Sequence, residues 1–256
     1  MKESSEGSWV DCRYEALEFF YWEPQHLGRK KYVDATLNTA AKVRNHLRKM
    51  EVTLNQDLQQ FFRLAPRSLR LTLMGRLFGE SFTSPMKLFG RDVDQELALD
   101  GSTQPDLLFV SDEDVASVEM KIGSKANVDQ VLKYALLGLA VERRYGERSR
   151  HCLAFLGTGD FKKQFEERFQ SLDKLKEALS QADFHEFLGR MPKRFRDGEA
   201  RLRQIVVNLR LSYITYEELA SDLLQQVPEE SDPSLGAEVY RRLILGIVDE
   251  IEERRL

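Results

Sequence analysis

QPDLLFVSDEDVASVEMKIG, residues 104–123, decides the fold. It holds two short apolar runs separated by a cluster of acids. The second run carries Glu119 and Lys121, two residues apart. Short apolar runs bounded by turn-forming residues predict strands. If Asp106 stands opposite Glu119, then Leu108 faces Ser117 and Val110 faces Val115. The turn then centres between Asp112 and Glu113, inside the polar SDED. The hydrophobic pattern and the turn agree on one antiparallel register. In that register Asp106 and Glu119 are cross-strand neighbours, within about 5.5 Å at Cβ. Lys121 shares their face, because side chains alternate along a strand. Two carboxylates this close repel and raise each other's pKa, and a shared divalent cation removes the repulsion. Hard oxygen ligands suit Mg2+ or Mn2+, which keep several waters and accept phosphate oxygens as further ligands. A lysine beside a metal-bound water can orient it, or neutralise charge building on a phosphate.

Outward from this hairpin the period of the apolar residues changes. On the N-terminal side DVDQELAL (92–99) alternates and predicts a strand. Before it, PRSLRLTLMGRLFGESF (66–82) predicts a helix with Pro66 in its first turn. LNQDLQQFFRLA (54–65) and VDATLNTAAKVRNHLRKM (33–50) predict two more helices, and YEALEFFYWEP (14–24) fits helix or strand. On the C-terminal side NVDQVLKYALLGLAVERRYG (127–146) is a long amphipathic helix with Asn127 or Ser124 as cap. HCLAFLG (151–157) predicts a buried strand. Residues 158–191 read as helical throughout, and RQIVVNLRLSYIT (203–215) as a further strand. A helix follows whose Thr215 and Glu218 form a capping box, and a last helix begins at Leu235. The central order is helix, three strands, helix, strand.

The chain has 256 residues, 42% hydrophobic and 31% charged, and its size predicts one compact domain. Its net charge of −4 gives no overall basic footprint for nucleic acid, although a local groove can be basic. Two isolated cysteines, Cys12 and Cys152, argue against a disulfide framework or a zinc site and suit a reducing cytosol. No apolar run reaches the roughly 18 residues of a membrane span, and the N-terminus does not read as a signal peptide. A cytoplasmic protein without a membrane partner is expected.

Pro105-Asp106 followed by Glu119-Met120-Lys121 resembles the signature of the PD-(D/E)xK nuclease superfamily. The order of elements is similar to the common core of that superfamily, which includes restriction endonucleases and recombination exonucleases. Gln130 and Tyr134, four residues apart on one helix face, resemble the Q-xxx-Y element of the recombination-exonuclease branch. The resemblance covers residues 66–160. It implies an α/β fold with a restriction endonuclease-like α-β-β-β-α-β mixed sheet. Residues 1–65 form a mainly helical extension, and residues 161–256 a second one with an added strand.

The resemblance further implies a magnesium- or manganese-dependent nuclease hydrolysing DNA, or RNA, in restriction, phage defence or repair. Asp106 and Glu119 would be metal ligands, with the carbonyl of Met120. Lys121 would activate water, and Gln130 and Tyr134 would steady the site. Relatives often add an acid from the helix before the first strand. Glu80 is best placed, with Asp94 and Glu96 as rivals. Lys125, before the long helix, could reach a phosphate with the amides of that helix. The competing readings are a nuclease fold kept as a silent nucleic-acid-binding or assembly module, and a partner subunit or homodimer built on the helical flanks.

Other patterns are weaker. GTGD (157–160) reads as a plain strand-to-helix turn rather than a phosphate loop. His26, His46, His151 and His185 have no ligand spacing. GRMPKRFRDGEARLR (189–203) reads as a solvated basic face or, beside a nuclease core, as a phosphate-contacting patch. Phe19, Phe20, Tyr21 and Trp22 read as core.

Overall fold

The computed structural model describes residues 8–22, 40–90, 92–122, 125–159, 165, 169, 171–229 and 234–256. The chain divides into two compact units, Met1–Ala65 with Ala220–Leu256, and Pro66–Leu219. Residues 161–219 thus fall in the same unit as the sheet.

The smaller unit is helical: α1 (Trp9–Trp22), α2 (Ala40–Arg48), α3 (Glu51–Leu64) and, near the C-terminus, α11 (Leu235–Glu253). Residues 33–39 of the expected second helix and Pro24 lie outside the described residues, as do the side chains of Phe19, Phe20, Tyr21 and Trp22. Val10, Tyr14, Val43 and Leu47 form a small apolar cluster. Beside it the Tyr14 hydroxyl donates to buried Glu250, and Arg254 donates to Glu250, Tyr14 and Thr53. A buried carboxylate is tolerable only with such partners.

The larger unit carries a five-stranded mixed sheet in the order β1-β2-β3-β4-β5: Lys87–Leu88, Leu107–Val110, Asp114–Lys121, Arg150–Gly157 and Arg210–Thr215. β1, β2 and β3 pair antiparallel; β3, β4 and β5 pair parallel. The hairpin has the register read from the sequence, with Leu108 opposite Ser117 and Val110 opposite Val115. One face is covered by α6 (Val128–Tyr145), which lies in one core with Leu108, Val110, Val115, Leu153 and Phe155. The other face meets α4 (Arg67–Phe78), whose Leu77 carbonyl accepts from Ser212 of β5. α4 ends at Gly79 in the left-handed conformation, which a residue without Cβ adopts freely. α6 starts at Asn127, whose side chain accepts from the Gln130 amide, and ends with Arg143 and Arg144 in its last turn. The alternative cap, Ser124, lies outside the described residues.

Three expectations are corrected. Residues 92–99 form no strand: Val93–Leu97 is a short helix, α5. Val93 and Leu97 are both buried, four residues apart, and the chain then leaves through positive φ at Ala98 and Asp100. The first strand is instead the two-residue β1. Residues 203–208 are the second half of helix α9 (Glu199–Asn208), and the strand starts only at Arg210. Leu202, Ile205 and Val206 are buried while Val207 is 76% exposed, a helical and not an alternating pattern. Finally, the described part of 158–191 holds two helices, α7 (Leu172–Ser180) and α8 (Phe184–Gly189). The second starts anew where Asp183 accepts from the Glu186 amide. A 3-10 segment, Lys193–Gly198, links α8 to α9. α10 (Tyr216–Leu224) opens with the expected box, in which the Glu218 amide donates to Thr215 and the Thr215 amide to Glu218.

Candidate active site

β3 is buried along its whole length, yet its last residues include a carboxylate and an amine. Glu119 is 7% exposed and Lys121 4%. Alternation puts both on the α6 side, at the carboxyl end of the parallel strands, where open α/β sheets bind ligands. Lys121 Nζ lies 2.6 Å from Glu119 Oε1. Gln130 Nε2 donates to the same oxygen, and the Tyr134 hydroxyl donates to Oε2. The one-turn spacing on α6 thus delivers both donors to a single carboxylate. An ionised carboxylate has about four lone-pair positions. Three donors converge on this one, which offsets much of the desolvation of its charge.

Asp106 is half-buried one residue before β2, and its Oδ2 accepts from the Met120 amide at 2.7 Å. The strand pairing itself ends at Leu107 opposite Val118, so this side-chain bond is what ties Asp106 to the end of β3. Tyr134 lies close enough to both acids to feel the charge of each. Burial first, then the charges of Glu119 and Asp106, push its phenol well above its usual pKa. Tyr134 therefore remains a protonated donor across physiological pH.

The structure brings Asp106, Glu119, Lys121, Gln130 and Tyr134 together, with the Met120 backbone between them; the Met120 side chain is buried. It does not bring Glu80. That carboxylate pairs with Arg210 and lies 3.5 Å from Arg150, which is bonded to Asp114 at the opposite end of β3. From Asp114 to Glu119 is five residues, roughly 16 Å at about 3.3 Å per residue. Arg150 and Asp114 also point to the other sheet face, so the expectation of Glu80 as third acid is corrected. Asp94 accepts from the Gly101 amide and Glu96 from Lys87 and Tyr145, so both serve helix α5 and its surroundings. Among the described residues no group of three His, Cys, Asp or Glu could hold a metal. Lys125 is exposed just ahead of α6.

Of the remaining sequence patterns, His46 lies at the end of α2, His185 is exposed, and His151 is buried near Glu142 at the far end of β4. Gly157 ends β4, and Asp160 of the GTGD stretch lies outside the described residues, as does His26. No helix among the described residues is long and apolar enough to cross a membrane.

No protein-family model matches the chain, and no curated protein or solved structure matches it significantly. The fold class the coordinates define is α/β with a mixed open sheet.

Proposed function

We propose that the chain is a metal-dependent nuclease of the PD-(D/E)xK type, hydrolysing phosphodiester bonds of DNA at the Asp106–Glu119–Lys121 cluster. The single observation that carries this is the convergence of those three side chains at the carboxyl end of β3. The strand order and the joint grip of Gln130 and Tyr134 on Glu119 support it. The Asp106 and Glu119 carboxylates and the Met120 carbonyl are hard oxygen donors of the kind a divalent cation takes, with water and phosphate as further ligands. Mg2+ or Mn2+, when bound there, would supply positive charge to the phosphate and acidify a water.

The chain's own residues do the rest. Gln130 and Tyr134 fix the Glu119 carboxylate in one rotamer, which removes reorganisation at the moment of reaction. The Met120 amide holds the Asp106 carboxylate just ahead of the neighbouring strand. Lys121 holds its ammonium against Glu119, where it can orient the attacking water or meet charge developing on the phosphate. Among the described residues the site has two acids and no third, so water must complete any coordination shell.

A second reading rests on the completeness of the Glu119 network. Lys121 balances its charge and two further donors bond it, as suits a silent nuclease-fold module that binds nucleic acid without cutting. Incubation of plasmid and linear DNA with Mg2+ or Mn2+ separates the two. Cutting by wild type, lost in Lys121→Ala and restored by neither metal, supports the enzyme. No cutting by wild type that still binds DNA supports the module. Cutting that survives in Lys121→Ala refutes this site.

A further inference from the structure

Among the described residues, a cleft of about 480 Å³ in the larger unit is lined by Lys133, Arg190, Lys193 and Arg196, with Asp100 and Ser102. Four cations face one carboxylate, on a chain whose net charge is −4. The carboxylate is already claimed, because Asp100 pairs with Arg194. Arg190 is held in place by two hydrogen bonds to Asp129 of α6, at 2.8 and 3.3 Å. Arg196 donates to the Gly189 carbonyl at 3.3 Å. Among the described residues no carboxylate forms an ion pair with Lys133, Lys193 or Arg196. Like charges held together around a concavity repel each other, and an anion entering it relieves that repulsion.

The position of the cleft identifies the anion. Lys133 is adjacent to Tyr134 on α6 and one turn from Gln130, the two residues that grip Glu119. Asp100 and Ser102 lie in the segment that leads into Asp106. The cleft and the acid cluster are therefore built on the same two pieces of chain. Its cations are lysine and arginine heads spread along an open surface. The cleft is open rather than enclosed, as expected of groups that position a strand without reading it.

We infer that this cleft is a backbone subsite, in which Lys133, Lys193 and Arg196 bind phosphates of the same nucleic-acid strand a few nucleotides from the bond at the acid cluster. The inference rests on the nuclease reading for the identity of the strand, but it is tested separately.

The test is fluorescence anisotropy of the full chain with a fluorescein-labelled DNA duplex in EDTA, across a salt series. The variants are K133A/K193A/R196A and a control, K87A/K174A/K176A, whose three lysines are exposed elsewhere. Every phosphate that the protein no longer neutralises lowers the slope of log K against log salt by about 0.9. The cleft variant should therefore lose about 2.7 from the slope, and the control much less. Circular dichroism confirms that both variants fold. Equal slopes in the two variants, an unchanged slope in the cleft variant, or no binding by wild type overturns the subsite. Cutting assays on the same proteins address the nuclease reading alone. If wild type binds with the expected slope change but never cuts, the subsite stands and the nuclease falls. If wild type cuts through Lys121 while the slope does not move, the reverse holds. Where cutting is present, the cleft variant raises KM and keeps kcat.

Discussion

Replacing Lys121 with methionine isolates the electrostatics of the candidate site. The ammonium is 2.6 Å from Glu119, and the two side chains are 5% and 10% exposed. Methionine keeps the apolar stem and removes the charge. Glu119 would then be a buried carboxylate bonded by Gln130 and Tyr134 but with no counter-charge on its own strand. Removing one partner of a buried pair costs about 3–5 kcal/mol. The two remaining donors, each contributing about 1.5–3 kcal/mol to a charged acceptor, place the expected loss toward the lower end. Urea unfolding at neutral pH followed by far-UV circular dichroism is the appropriate measurement.

The double variant Lys121→Met with Glu119→Gln should recover much of the loss, because a neutral amide needs no counter-charge. If a divalent cation binds the acid pair, millimolar Mg2+ should stabilise Lys121→Met more than wild type, since the cation then replaces the missing charge. A loss below about 1 kcal/mol for Lys121→Met would refute the description of a desolvated ion pair, since exposed pairs contribute no more than that.

Other consequences are more local. A Cβ at Gly138 would stand 2.6 Å from Cδ2 of the buried His151 ring, so Gly138→Ala should destabilise by about 1–3 kcal/mol in the same urea experiment. His151 itself has its pKa pushed below the usual value, by burial first and against the pull of Glu142. The native ring is neutral while the unfolded ring protonates near pH 6.5, so stability is lost as pH falls below about 6.5. His151→Gln should flatten that slope in melts taken between pH 5 and 7. Burial pushes the Cys152 thiol up to about 12, while Cys12 is exposed. A thiol reagent at pH 8 should therefore modify Cys12 at once and Cys152 only after denaturation, as read by absorbance. Thr215→Ala removes the cap of α10 and should cost about 1 kcal/mol in a thermal melt.

The sequence by itself determined the hairpin. Polar SDED between two apolar runs places the turn, and a turn centred there pairs Leu108 with Ser117 and Val110 with Val115. Continued one residue past the observed Leu107–Val118 pair, that register sets Asp106 against Glu119, with Lys121 on the Glu119 face. The one-turn spacing of Gln130 and Tyr134 on a capped helix was equally local. Short segments were less determinate. VDQEL is compatible with a period of two and with a spacing of four, and only the burial of both Val93 and Leu97 chose the helix. The β-branched run Ile205–Val206–Val207 favoured a strand by propensity, but packing buried the first two and left Val207 in solvent. A signal was present in the helical spacing of Leu202, Ile205 and Val206. Asp183, followed three residues later by Glu186, likewise marked the break between α7 and α8. The place of Glu80 had no local signal at all. Its neighbours Arg150 and Arg210 are 70 and 130 residues away in sequence. Which end and which face of the sheet it meets is decided by how α4 docks. Only tertiary structure sets such a pairing, because it depends on packing between elements and not on the period within one. The same holds for the basic cleft, where Lys133 and the cations of residues 190–196 meet only once α6 and the segment after α8 have packed.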